Sequence, residues 1–441
     1  MAHGEEGTSP AESFSTAAGT TGAAAPSLGA RGPSRPVATA KPEAGEKTSL
    51  ITGSEAIAVA CQLADVDVIT AYPIRPYDTV MQYVAKLVSN GELDCEYIVA
   101  ESEHSQFEIV KHASAVGARV FCGSSGVGWM YAFEALTVTP ALRIPMVAMV
   151  GNRALDDPGA FGVEHNDALA VRDLGWQLTW VDSAQEALDT ALIAYRVAED
   201  RRVFLPCAIS CDGAFLTHSQ GLVKIPSQEK VNAFLPRYNR GDLQLHPDNP
   251  ITVAPQVNED WLMEIRRQNA AAMERTLTTV IPEAYVEFNR IFGRNYENPF
   301  FEEYQTQDAD VVLVGMGTLS TPVRVAIRQM RQEGKKVGFV RVRWFRPFAA
   351  QRLAATLGRF KAVGVIDRDF SLGSPYLSGV LATEVRAAMY GSSKHPPILG
   401  FICGLGGREV TVPDVRRMSE LVYQAAEGKP HQATQWIGLR E

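Results

Sequence analysis

From Ile51 onward the chain alternates short runs of Val, Ile, Leu and Ala with stretches of helical periodicity, and this constrains the fold more than any other feature. Val66–Tyr72, Glu96–Ala100, Ala118–Ser124, Pro145–Asn152, Leu178–Asp182 and Val203–Ser210 read as strands. Ser54–Ala64, Tyr77–Ser89, Ser105–Val116, Met130–Val138 and Gln185–Glu199 read as amphipathic helices between them. Strands apolar on both faces and spaced by helices imply a parallel sheet covered on both sides. A Pro- and Asn-containing stretch follows at 219–255, then a helical segment, Trp261–Phe292, interrupted near Pro282. The alternation restarts with strands Val311–Gly315, Lys336–Trp344, Ala362–Asp367 and Ile398–Cys403. The expected fold class is therefore α/β, with two doubly wound domains at 48–255 and 308–441 joined by a helical connection at 256–307. Ligands of such sheets lie outside the carboxyl ends of the strands, which makes the residues just past those ends the candidates for function.

Composition narrows the rest. Of the first 47 residues, 33 are Ala, Gly, Ser, Thr or Pro, too little apolar surface to offset the entropy of ordering. Residues 1–47 are expected to be a disordered tail. They lack the apolar core of a signal peptide, and Glu5 and Glu6 argue against a transit peptide, so a cytoplasmic location is expected. A net charge of -8 disfavours a general nucleic-acid binder, and no apolar run reaches the roughly 18 residues of a membrane helix. Of six cysteines only Cys207 and Cys211 are close, spaced CxxxC rather than the CxxC of zinc or ferredoxin sites. Buried reduced thiols are the expectation, with any iron–sulfur cluster on another chain.

Several motifs sit past strand ends. Gly315-Met-Gly317-Thr-Leu-Ser320 imitates a dinucleotide fingerprint but lacks the third glycine and the later acid, and reads as a tight turn. Gly123-Ser-Ser125-Gly126-Val-Gly128 is not a nucleophile elbow, because Val127 replaces the last glycine; close backbone approach to a cofactor suits its glycines. Glu164-His165-Asn166-Asp167 reads as a hydrogen-bonded loop rather than a metal site, and no metal is assigned to this chain. Arg75 and Arg153 follow strands where a carboxylate clamp belongs, although surface ion pairs are the plainer reading. Glu101 and Glu103 open a helix, where a carboxylate is ordinarily a cap.

Taken together, these segments resemble the alpha subunit of the thiamine-diphosphate-dependent 2-oxoacid:ferredoxin oxidoreductases. The resemblance runs through Thr52–Ala56, Tyr72-Pro-Ile-Arg-Pro76, Glu101–Ser105, Ala115–Arg119, Val150–Leu155, Val171–Trp176, Arg343–Phe348 and Gly404–Gly407, and covers about 50–430. It implies a pyrimidine-binding domain followed by a transketolase C-terminal-like domain. It assigns Glu103, with Glu101 as alternative, to the aminopyrimidine of thiamine diphosphate, Ser125 and Gly126 to the cofactor, and Arg75 and Arg153 to the substrate carboxylate. The diphosphate- and magnesium-binding Gly-Asp-Gly segment is missing: the sole Gly-Asp pair, Gly241-Asp242, is followed by Leu243. The resemblance places that half-site on a beta subunit and iron–sulfur clusters on gamma and ferredoxin-like delta subunits or a fusion, with ferredoxin as acceptor. Most pyruvate enzymes of the family carry threonine where Arg75 stands. Arg75-Pro-Tyr-Asp78, with Phe161–His165, looks like the oxalate oxidoreductase branch, which would oxidise oxalate to carbon dioxide without coenzyme A. The alternatives are a coenzyme A-dependent enzyme for pyruvate or another 2-oxoacid, and a noncatalytic scaffold, which retention of Glu103, Arg75 and Arg153 disfavours.

Overall fold

The computed structural model describes residues 45–155 and 158–440. The expected tail lies outside the described residues except for its last three, and Lys47 already opens a strand. In chain order the strands are β1 (Lys47–Thr52), β2 (Val68–Ala71), β3 (Glu96–Val99), β4 (Val120–Ser124), β5 (Val147–Asn152), β6 (Gln177–Val181), β7 (Cys207–Asp212) and β8 (Gln220–Ile225). They continue as β9 (Phe301–Tyr304), β10 (Val311–Met316), β11 (Val337–Val342), β12 (Trp344–Arg346), β13 (Ala362–Asp367), β14 (Ile398–Ile402) and β15 (Thr434–Trp436).

The first sheet has the order β12-β6-β7-β5-β4-β2-β3 and is parallel except for β12. The second has the order β15-β14-β13-β10-β11-β9 and is parallel except for β9. The central strands β4, β5, β7, β10, β11 and β13 are buried along their whole length, as helices on both faces require. The winding reverses at β2/β4 in the first sheet and at β10/β13 in the second. A crevice opens outside the carboxyl ends of the strands at such a reversal.

Three departures from the sequence reading have physical causes. The run Lys336–Trp344 is two strands: Arg343 between them is drawn into a buried cluster with Glu186, and β12 crosses to pair with β6 of the first sheet. The stretch 219–255 is not all connection, because β8 pairs antiparallel with β1 and Gln228–Phe234 is helical. The interruption near Pro282 is a π-helical turn at Thr276–Val280, and Pro282 sits in the first turn of the next helix, where its missing N–H costs nothing.

Candidate active site at the first switch point

Glu103 opens the helix Glu103–Ala115, which follows β3. Ser102 caps that helix by accepting the Ser105 N–H at 3.1 Å, and the positive end of the helix dipole favours a carboxylate at Glu103. One turn on, Phe107 packs edge-on against Trp129 and Trp176, with centroids 5.3 and 6.4 Å away. Gln106 donates to the Gly123 carbonyl at the end of β4, 2.7 Å away. The helix is thus fixed to the β4 turn, and Glu103 is 7% exposed. Among the described residues its carboxylate has no hydrogen-bond partner. Glu101 is exposed and receives the Ser105 hydroxyl at 2.9 Å, so Glu103 is the enclosed acid of the two.

The opposite wall is the β4 turn. A Cβ on Gly128 would fall 2.3 Å from a Glu103 carboxylate oxygen, 2.7 Å from the Ile74 side chain and 2.8 Å from the Ser124 hydroxyl. The absence of a side chain at Gly128 therefore lets Glu103, Ile74 and Ser124 converge on this turn. The Ser124 hydroxyl is buried without a partner. Ser125 and Gly126 were assigned to the cofactor from the sequence, and the structure spends their polar groups inside the protein. Ser125 Oγ accepts the Tyr77 N–H at 3.3 Å, and the Gly126 N–H donates to Asp167 Oδ2 at 3.0 Å. They shape the crevice, while Glu103, Ser124 and Gly128 line it.

The two arginines meet here but differ. Arg153, just past β5, is 9% exposed; its Nη1 donates to the Arg75 carbonyl at 3.3 Å and its guanidinium lies 4.9 Å from the Phe161 ring centroid. The Arg75 side chain is 81% exposed, with Asp78 at 3.7 Å as an ion-pair neighbour. The Tyr72–Pro76 turn leaves the sheet and carries the Arg75 side chain outward, so within this chain the guanidinium is solvated.

Asp167 was absent from the sequence assignment as a site residue. Oδ2 accepts the Gly126 and Arg153 N–H groups at 3.0 and 2.9 Å, and Oδ1 accepts the Asn152 amide at 3.0 Å and the Ala168 N–H at 2.7 Å. Burial pushes its carboxyl up to about 6 against the pull of these four donors. The adjacent His165 bonds Asp212 at 2.8 Å, so the Glu164–Asp167 segment is committed to protein contacts, as the loop reading expects. His104, Glu108 and Glu134 bring ligand atoms within 4.8 Å of one another, but Lys111 already pairs with Glu108 and His104 with Glu134. Among the described residues all six cysteines are free and five are buried, which raises their thiols further from ionisation at Cys61, Cys122, Cys207, Cys211 and Cys403. Among the described residues no helix is long and apolar enough to cross a membrane.

The donor set fits the pyrimidine end of thiamine diphosphate: an enclosed carboxylate without a partner, the apolar Ile74 beside it, and a glycine where a flat ring needs room. It does not fit the diphosphate end. Gly241-Asp242 lies in a short 3-10 turn, and the Asn269 amide, at a suggestive distance along the chain, is turned to the Pro140 and Ala141 carbonyls.

Two doubly wound lobes in sequence define a class, the transketolase-like α/β proteins, and two solved structures share the fold. One is a 2-oxoglutarate:ferredoxin oxidoreductase from Magnetococcus marinus, with a TM-score of 0.63 and 18% identity, covering 85% of this chain and 65% of that one. The other is a split-gene transketolase, with a TM-score of 0.51 and 14% identity, covering 85% of this chain and 99% of that one. Residues 59–283 match the family described as pyruvate flavodoxin/ferredoxin oxidoreductase, thiamine diphosphate-binding, and residues 309–415 match pyruvate:ferredoxin oxidoreductase core domain II. The pyruvate synthase subunit PorA of Methanocaldococcus jannaschii is 39% identical over 395 residues, 90% of this chain and 99% of that protein. The ketoisovalerate oxidoreductase subunit VorA of Pyrococcus abyssi is 36% identical over 396 residues, 89% of this chain and 98% of that protein. The chain belongs to the 2-oxoacid:ferredoxin oxidoreductase family, as an alpha-type subunit.

Proposed function

We propose that this chain supplies the pyrimidine-binding half of a thiamine-diphosphate site that oxidises pyruvate or another small 2-oxoacid. The observation that carries the reading is Glu103: a buried carboxylate at a sheet reversal that has no hydrogen-bond partner among the described residues. The cofactor, when bound, supplies the carbanion chemistry that removal of carbon dioxide from a 2-oxoacid requires. Glu103 would hold a proton between its carboxylate and a pyrimidine ring nitrogen, and the buried setting strengthens that hydrogen bond. Ile74 and Gly128 would admit the ring and exclude water. Arg153 would clamp the carboxylate common to all 2-oxoacids. The diphosphate and magnesium would be held by a beta subunit, and electrons would leave through iron–sulfur clusters on further subunits to ferredoxin.

Oxalate is a second reading, supported by Arg75. A second cation beside Arg153 suits a substrate with two carboxylates, and a partner subunit closing over the exposed guanidinium would desolvate it. The names of the relatives favour pyruvate and branched 2-oxoacids. The deciding experiment purifies the chain with its partner subunits and follows viologen reduction by pyruvate, 2-oxoisovalerate, 2-oxoglutarate and oxalate, with and without coenzyme A. Coenzyme A-dependent reduction with a 2-oxoacid supports the first reading. Oxalate turnover without coenzyme A, lost in Arg75→Thr, supports the second. Reduction by none of them removes both.

A further inference from the structure

We propose that Asp167 is a positioning residue through which the seating of the second lobe sets the affinity of Arg153 for substrate. The inference rests on the reading of Arg153 as the carboxylate clamp. Asp167 is fully buried, and a single carboxylate oxygen holds the N–H groups of both Gly126 and Arg153, so it ties the turn after β4 to the turn after β5. Its other oxygen fixes the Asn152 side chain. No other described side chain joins the two turns through the backbone of Gly126 and Arg153.

Asp167 is itself placed from the second lobe. The His165 N–H donates to the Arg368 carbonyl at 3.0 Å. The Asn166 side chain exchanges two hydrogen bonds with the Phe370 backbone, at 2.9 and 3.3 Å. The Gly406 N–H donates to Glu164 at 2.9 Å and the Gly407 N–H to the Val163 carbonyl at 3.1 Å. The fit leaves no slack: a Cβ on Gly162 would lie 1.9 Å from the Gly406 carbonyl oxygen. A displacement of the Arg368–Phe370 strand end thus reaches the Arg153 backbone through two residues of chain and one carboxylate.

Asp167→Ala removes the oxygen that accepts both the Gly126 and the Arg153 N–H groups. Asn166→Ala leaves Asp167 intact and removes both bonds to Phe370. In the complex with partner subunits, Asp167→Ala is expected to raise KM for the best 2-oxoacid tenfold or more, with kcat within about threefold and KM for the viologen acceptor unchanged. Asn166→Ala is expected to raise the same KM two- to threefold. A general loss of structure would instead lower the active fraction and leave both KM values as they were. Unchanged 2-oxoacid KM in an assembled Asp167→Ala complex overturns the inference. Should that variant fail to assemble, Asn166→Ala decides, and an unchanged KM there overturns it equally. Absence of 2-oxoacid turnover in the unsubstituted complex is a different result, and removes the proposed function instead.

Discussion

The two lobes have the same kind of crevice with different contents. In the first, the reversal at β2/β4 carries Glu103, Ser124 and Gly128, and neither the Glu103 carboxylate nor the Ser124 hydroxyl has a hydrogen-bond partner among the described residues. In the second, the reversal at β10/β13 is filled by Asp212 from the end of β7. Its carboxylate accepts the Thr318 N–H at 2.9 Å, Arg368 Nη1 at 2.7 Å and His165 Nε2 at 2.8 Å, and lies where a Cβ on Gly317 would be. A strand-to-helix turn rich in glycine attracts an anion in either lobe. In the second lobe that anion is part of the protein, which is why the turn at Gly315–Ser320 imitates a dinucleotide site. In both lobes a buried aspartate holds an N–H of the glycine turn, Asp167 at Gly126 and Asp212 at Thr318, and the difference is that the first crevice also carries Glu103, which has no hydrogen-bond partner among the described residues.

The largest expected effect is at the open crevice. Glu103→Gln should leave assembly intact and reduce turnover by on the order of 10²–10⁴, since the amide cannot exchange a proton with a ring nitrogen. Turnover within a few-fold of the parent enzyme would move the role to Glu101. At the filled crevice, Asp212→Ala should cost on the order of 3–5 kcal/mol, because His165 and Arg368 lose a buried counter-charge. Urea denaturation of the chain measures it, and a loss below about 1 kcal/mol would mean that the ions are solvated. Arg153→Ala should lower kcat/KM for every 2-oxoacid alike, by roughly 30-fold for loss of a charge-assisted clamp on a desolvated anion. The same change made at both turns isolates the contrast. Gly128→Ala should suppress turnover at near-normal stability by displacing Glu103, whereas Gly317→Ala should destabilise, its φ being +60° and its Cβ facing Asp212.

The smallest effect is in pH dependence, and its sign differs between the crevices. Burial raises Asp167 from an ordinary 3.8 to about 6, so its ionisation opposes folding. Its contribution is most favourable below about pH 4, shrinks as the pH rises to about 6, and is constant above. For Asp212 burial acts in the same raising direction, but His165 and Arg368 outweigh it and hold the carboxyl well below its usual range. Its contribution is present above about pH 4 and is lost as acid approaches its lowered value. Urea midpoints at pH 4.5, 5.5 and 7 should show a slope that Asp167→Asn removes and Asp212→Asn keeps.

The alternation of strands and helices is legible in the sequence because central parallel strands are apolar on both faces. Short edge pieces are not: β1, β8, β9 and β15 carry mixed residues, and β12 lies in the wrong place along the chain for its sheet. The place of Glu103 at a helix start after a strand was readable, but its assignment to the cofactor came from the resemblance, because a carboxylate there is ordinarily a cap. Asp167 and Asp212 were not readable, because each acts through backbone N–H groups or residues far away in sequence, and neither leaves a spacing pattern. The inward use of Ser125 and Gly126 was hidden for the same reason, since their partners are Tyr77 and Asp167.

The crossing of β12 into the first sheet has a consequence for biosynthesis. Trp344 pairs with Thr179 and Arg346 with Leu178, so the outer strand of the N-terminal lobe is among the later segments to be translated. At about 5–20 residues per second the ribosome needs roughly 10–30 s to pass from β6 to β12, and over that interval the β6 edge is a bare row of amide and carbonyl groups. A nascent chain in that state invites pairing with its neighbours on a polysome. Fragments ending near residue 307 should therefore precipitate during expression, and recovery of such a fragment as a soluble monomer would show that the β6 edge is covered by other means.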